Sequence, residues 1–395
     1  MRTDPLSYLA TELDSLKQQG LYRRLRILED EQKPKTTIDH RQVVNLSSNN
    51  YLGLTTHQKL REAALDATRR LGVGSGSVRT IAGTMEIHME LERRLAAFKN
   101  TEAVVVFQSG FAANAGTVAA VLTKDDVVVS DELNHASIID GSRLSRATIK
   151  VFPHKDVDAA RQILSELPAG QRKLLITDGV FSMDGDIAPL PAMLGLSERH
   201  DAWLLVDDAH GFGVIGPGGR GAPAHFGLRS PRLVYVGTLG KAAGVAGAFV
   251  AGAEEIVETV LQRARTYIYT TAAPAMLAAA IETSLQLIGE DEWRRERLRK
   301  LIAVLRHGMR EGERGLAPSD TPIQPLVLGG NSEAVRASAA LRERGILVPA
   351  IRPPTVPEGT ARLRISLSAA HSEQEVLRLA AALHEVRRSG VATQA

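Results

Sequence analysis

WLLVDDAHGFGVIG, residues 203–216, opens on an apolar run and turns at once into two carboxylates and an imidazole. A run with so little polar alternation suits a strand buried on both faces. Working outward, the same design recurs at Ala103–Phe107, Val127–Ser130, Ile149–Phe152, Leu174–Thr177, Leu233–Gly237 and Ala248–Ala251, with helical stretches between. That alternation predicts an α/β fold with a mostly parallel central sheet. Right-handed crossovers then place the strand C-termini along one edge, where ligands of open α/β sheets collect.

The flanks read differently. Residues 1 to about 45 form a polar, helix-prone arm followed by a loop, with Leu6, Leu9, Leu13 and Leu16 at helical spacing and Gly20 as the stop. After Pro274 the chain is strongly helical to about Glu313. A smaller α+β unit follows: a strand Ile323–Leu328, a helix from about Ser332 to Arg344, a strand Arg362–Leu367 and an amphipathic helix Ser372–Val386. With no internal repeat and no low-complexity linker, these parts are expected to pack together.

Composition narrows the functional classes. The 395 residues are 44% hydrophobic and 24% charged, as in ordinary folded proteins rather than disordered ones. The absence of cysteine excludes disulfides, thiolate catalysis and Cys-based metal sites, and no metal site is expected. It also accords with a reducing cytoplasm, the expected location. Lys plus Arg exceed Asp plus Glu by only 48 to 45, and the basic residues are scattered, unlike a nucleic-acid stripe. The N-terminus lacks the apolar core of a secretory signal. Ala242–Ala253, the longest candidate for membrane insertion, falls short of the roughly 20 apolar residues that span a bilayer.

Chemistry gathers just after the predicted strands. Ser109-Gly110-Phe111 opens a helix with small residues, so that backbone N–H groups can meet a phosphate. Asp207 and His210 follow Trp203–Val206, Ser182 follows the strand ending near Asp178, and His135 follows Val127–Ser130. Thr238 and Lys241 follow Leu233–Gly237, and Lys241 enters a Gly/Ala-rich stretch where desolvation lowers an amine's pKa and makes it a better Schiff-base nucleophile. Each feature alone has an ordinary reading as a tight turn, a cap or a snorkelling Lys. Together they suit pyridoxal 5'-phosphate, which needs a phosphate cradle, a Lys for its aldehyde and a carboxylate beside its ring nitrogen.

The chain resembles the α-oxoamine synthases, fold-type I pyridoxal-phosphate enzymes, through SNNYLGL (Ser48–Leu54), SGFAAN (Ser109–Asn114), NHAS (Asn134–Ser137), TDGVFSMDGD (Thr177–Asp186), VDDAHGFGVIG (Val206–Gly216) and GTLGKA (Gly237–Ala242). Phe212 is a small departure, since several relatives carry Thr there. The resemblance implies a residue 1–46 arm, a 47–290 coenzyme-binding α/β domain and a 291–395 α+β domain. It implies Lys241, His135, Asp207 and His210 as catalytic, with Gly110, Phe111, Ser182 and Thr238 completing the coenzyme site. Arg23, Asn50, His135, Thr355 and Arg364 would bind substrate, Arg364 receiving the amino-acid carboxylate. A homodimer with the site at its interface is implied, with Thr270 or Thr271 touching the partner's phosphate. Ile351–Arg364, IRPPTVPEGTARLR, points within the family to L-alanine and a pimeloyl thioester carried by coenzyme A or acyl carrier protein. The competing readings are a sister enzyme such as a glycine-dependent 2-amino-3-ketobutyrate ligase, and a non-catalytic subunit that keeps the fold.

Overall fold

The computed structural model describes residues 4–19, 21–309 and 315–388. Gly20 and Glu313, the expected ends of two helical segments, lie outside the described residues. The strands are β1 (Lys35–Ile38), β2 (Arg41–Asn45), β3 (Ala103–Phe107), β4 (Val127–Asp131), β5 (Thr148–Phe152), β6 (Lys173–Asp178), β7 (Trp203–Asp207), β8 (Leu233–Thr238), β9 (Ala248–Gly252), β10 (Ile323–Gly329), β11 (Ile346–Leu347), β12 (Ala350–Ile351) and β13 (Ala361–Ser366).

Seven of these form the central sheet in the order β3-β9-β8-β7-β6-β4-β5. Only β9 runs against its neighbours. Its apolar runs explain this sheet: β4, β6 and β9 are buried at every position, as strands covered by helices on both faces must be. Edge strand β5 instead exposes Thr148–Val151, with Lys150 as the charge that discourages pairing with another chain.

The arm departs from expectation in its second half. The helix Pro5–Gln18 forms, capped by Asp4, whose carboxylate accepts the Leu6 N–H at 3.2 Å. None of its residues is buried, and its leucine stripe of Leu6, Leu9, Leu13 and Leu16 is exposed. Residues expected to be a loop form the antiparallel hairpin β1–β2, turned at Asp39 and His40, both with positive φ. Strand β2 gains its other partner, β11, from the far end of the sequence, and that partner is invisible to a local reading.

The C-terminal strands pair in the order β10-β13-β12, and β13 is buried at all six positions, including Arg362 and Arg364. One hydrophobic core joins these parts, running from Val44 and Leu46 through Phe249 and Leu285 to Leu326 and Leu363. No described helix is long and apolar enough to cross a membrane.

Phe249 marks the centre of that core. It is fully buried, edge-on to Phe212 at 5.2 Å between ring centroids, and a Cβ at Gly237 would lie 2.5 Å from its ring. Because these neighbours leave little room to collapse, Phe249→Ala should cost about 3–5 kcal/mol. Urea denaturation should show a clearly lower midpoint, whereas an unchanged midpoint would mean the core relaxes freely.

Candidate active site

Five strand ends of the central sheet deliver side chains to one cavity of about 400 Å3. After β3, Ser109 caps the helix Gly110–Val121, its hydroxyl accepting the Ala112 N–H at 3.1 Å. The N–H groups of Gly110 and Phe111 are left without an acceptor among the described residues, as first-turn donors are. A Cβ on Gly110 would come within 2.8 Å of Thr238 Cγ2, so glycine is what lets the end of β8 approach this turn. His135 follows β4, Ser182 follows β6, Asp207 ends β7, and Lys241 follows β8; all line the cavity, as do Phe111, His210 and Thr238. The coenzyme residues expected from the sequence are therefore brought together.

Hydrogen bonds then fix the polar floor. Asp207 is buried; one carboxylate oxygen accepts the Ala209 N–H at 3.0 Å and the other accepts from the Asn114 amide. That amide also reaches the Ser137 hydroxyl at 2.9 Å, which lies 2.7 Å from Nδ1 of His135. Asp178 shares the cavity wall, and its Oδ1 is buried without a partner. Burial, reinforced by the Asp207 charge, pushes the Asp178 carboxyl well above its ordinary range. Burial lowers the Lys241 pKa, while Asp207 and Asp178 pull it back up and Arg364 lowers it further. Burial also lowers the pKa values of His135 and, much more strongly, His210, where Lys241 and Arg364 add to the effect.

A second group faces this floor from the C-terminal unit. Arg364 Nε donates to the Ser182 carbonyl, while its terminal nitrogens reach Ser366 Oγ at 2.8 Å, Tyr51 OH at 3.3 Å and Asn49 Oδ1 at 3.4 Å. Tyr51 OH in turn lies 2.7 Å from His210 Nδ1. Arg362 points along the same face of β13 but is tied to Asp184 and to the Thr360 carbonyl. Strand periodicity could not separate the two arginines; their partners do.

Not every expected residue is here. Asn50 lies outside the cavity wall, its amide occupied within its own turn, Oδ1 accepting the Leu54 N–H at 2.9 Å and Nδ2 donating to Thr55 Oγ1 at 2.6 Å. Its neighbour Asn49 lines the cavity instead. Arg23 and Thr355 are exposed and outside the cavity wall. Thr270 and Thr271 line an adjoining cleft that shares Gln108, Ala246 and Gly247 with the cavity. Sequence reasoning passed over Asn49, Tyr51 and Asn114 as individuals, although all three stand inside the quoted SNNYLGL and SGFAAN motifs.

The model of the aminotransferase class I and II family matches residues 41–383. The 8-amino-7-oxononanoate synthase 1 of Polaromonas sp. is 53% identical over 378 residues, which span 94% of this chain and 93% of that protein. The chain belongs to the 8-amino-7-oxononanoate synthase family. A solved member from Francisella tularensis is 30% identical, with a TM-score of 0.76 over 88% of this chain and 98% of that one. A serine palmitoyltransferase from S. paucimobilis, solved with bound PLP–myriocin, gives a TM-score of 0.92 at 31% identity, covering 98% and 100%.

This family member's cavity meets the demands of pyridoxal phosphate. It offers free N–H groups and a Cβ-free turn for a phosphate, an amine at Lys241 and a carboxylate at Asp207. The cradle is directly testable: Gly110→Ala should displace Thr238 and weaken coenzyme binding by about tenfold or more, the scale of one charge-assisted hydrogen bond. Titrating the apoprotein with pyridoxal phosphate while following absorbance measures it; unchanged affinity would show that the turn does not hold the phosphate.

Proposed function

We propose that the chain catalyses the decarboxylative condensation of L-alanine with a pimeloyl thioester, giving 8-amino-7-oxononanoate, CO2 and the free thiol carrier in biotin biosynthesis. The observation that carries this reading is that the Lys241 amine and the Asp207 carboxylate line one cavity, with the Arg364 guanidinium bonded to its Asn49 and Ser182 walls. Relatives that bear this activity in their names support it. Pyridoxal phosphate, when bound, supplies the electron sink for bond breaking at the substrate's α-carbon.

The chain's own residues divide the remaining work. Lys241, whose pKa is lowered chiefly by burial, would hold the coenzyme aldehyde and, as a free amine, would serve as a proton acceptor. Asp207, oriented by Asn114 and the Ala209 N–H, would pair with the ring nitrogen and favour its protonated form. His135, tied by Nδ1 to Ser137, would pack against the coenzyme, and Ser182 and His210 would help hold it. Gly110, Phe111 and Thr238 would receive the phosphate. Arg364, with Asn49 beside it, takes the alanine carboxylate, and Arg23 and Thr355 meet the acyl substrate.

The working unit is a homodimer. Its support is the uncovered apolar arm, with Leu6 73% and Leu25 98% exposed, and the position of Thr270 and Thr271 beside the coenzyme cavity. The cytoplasm, where its thioester carriers reside, is the proposed location.

Product identification by mass spectrometry tests the reaction. Alanine with pimeloyl-CoA or pimeloyl-acyl carrier protein should yield 8-amino-7-oxononanoate. Turnover with glycine and none with alanine would contradict the proposal in favour of a sister enzyme. The carboxylate assignment has its own test in Arg364→Lys, which keeps the charge and loses the two-pronged donor. The apparent Kd for alanine, read by spectral titration, should rise roughly 10- to 150-fold, equivalent to about 1.5–3 kcal/mol. Arg362→Lys, altered at a residue engaged with Asp184, should bind alanine far more nearly as wild type; the reverse pattern would move the assignment to Arg362.

A further inference from the structure

The loop after β6 closes tightly on itself. Val180 and Ile187 form an antiparallel bridge, the Phe181 N–H donates to the Asp186 carbonyl at 3.0 Å, and the Gly185 N–H donates to the Phe181 carbonyl at 2.8 Å. Its inner side carries the Ser182 carbonyl that receives Arg364 and the Asp184 carboxylate that receives Arg362. Its outer side is gripped by His154, which follows β5 and does not line the coenzyme cavity. His154 Nδ1 lies 3.1 Å from Asp131 Oδ1 at the end of β4, and Nε2 lies 3.0 Å from Asp186 Oδ2. The ring also meets Phe181 edge-on, with centroids 4.3 Å apart.

We propose that His154 is a positioning residue for substrate binding: an imidazolium clasp that bridges Asp131 and Asp186, sets the 180–187 loop and thereby places Arg364 for the alanine carboxylate. The proposal rests on the reading of Arg364 given above. Both ring nitrogens face carboxylates, so both must donate, and only the protonated ring does so.

Burial lowers the His154 pKa, but hydrogen bonds and charge from Asp131 and Asp186 outweigh it and raise the value to about 9. The other charged groups here are Lys155, whose Nζ lies 2.8 Å from Asp186, and Glu132, which accepts the His154 backbone N–H at 2.9 Å. With the folded value above the ordinary 6.5, the clasp is fully present below about pH 6.5 and is lost as the pH rises through about 9.

The test uses holoenzyme carrying His154→Gln, with Asp186→Asn as a second variant that removes the charge on the Nε2 side together with the Lys155 ion pair. At neutral pH the apparent Kd for alanine should rise about tenfold, since displacements of order 1 Å at a binding group have effects of that size or larger. The KM for the pimeloyl thioester should hold within about twofold, and amides of 180–187 should exchange hydrogen faster. In an Arg364→Lys background the same His154 change should add less than about twofold, because both act through one contact. A lowered Tm with unchanged alanine Kd, or effects that simply multiply in the double variant, overturns the inference. An Arg364→Lys protein that binds alanine normally contradicts the carboxylate assignment itself. That result is read without any His154 variant, so the two failures are distinguishable.

Discussion

A carboxylate sunk at the end of a buried strand is costly unless its oxygens are occupied, and Asp207, 5% exposed, is such a group. Its two oxygens draw in the Asn114 amide from the helix after β3 and the Ala209 N–H from its own turn. Through Ser137 the same network reaches His135 after β4. Three strand ends are thus locked together by the need to satisfy one charge. Asp178, one strand over, lies too close to remain charged as easily, and its carboxyl is pushed upward by burial and by Asp207. Lys241 completes the balance: burial works against its charge while the two carboxylates work for it. That opposition leaves the amine easier to deprotonate than an ordinary lysine.

The second half of the site depends on a different kind of contact. Arg364 sits in β13, outside the central sheet, yet its guanidinium meets Ser182 from the large sheet's edge and Asn49 and Tyr51 from the segment after β2. A single core running beneath all three segments holds these partners in register. Tyr51 links the two halves directly, contacting both Arg364 and His210. The coenzyme floor and the Arg364 group proposed for the substrate carboxylate are therefore one connected polar surface built on an apolar support.

Much of this was legible beforehand, for physical reasons. Strands buried on both faces leave uninterrupted apolar runs, so β3 and the inner strands of the sheet stand out from the sequence, β3 with the observed ends, while the exposed edge strand β5 shows through its β-branched residues Ile149 and Val151. The turns that follow carry residues chosen for chemistry, and Lys241, Asp207 and His135 could be singled out there. Legibility failed where the deciding partner is distant or the choice is between neighbours. The β1–β2 hairpin depends on β11, about three hundred residues away, and its short strands carry polar residues that suit a loop. Asn49 and Asn50 differ only in which one a turn folds back on itself. Arg362 and Arg364 share a strand face and both reach the 180–187 loop, and the contacts of Arg364 with Asn49 and Tyr51 tell them apart. His154 carries no signal at all until β4 and the loop after β6 converge on it.

The most direct test of the Asp207–Lys241 cavity as the coenzyme site is chemical trapping. Borohydride reduction of the yellow holoprotein, followed by peptide mass mapping, should place one reduced pyridoxal-phosphate adduct on Lys241. Lys99 is the informative alternative, because its pKa is also lowered, to about 7, chiefly by burial, yet it is not among this cavity's walls. An adduct on Lys99 or any other lysine, with Lys241 unmodified, would contradict the assignment.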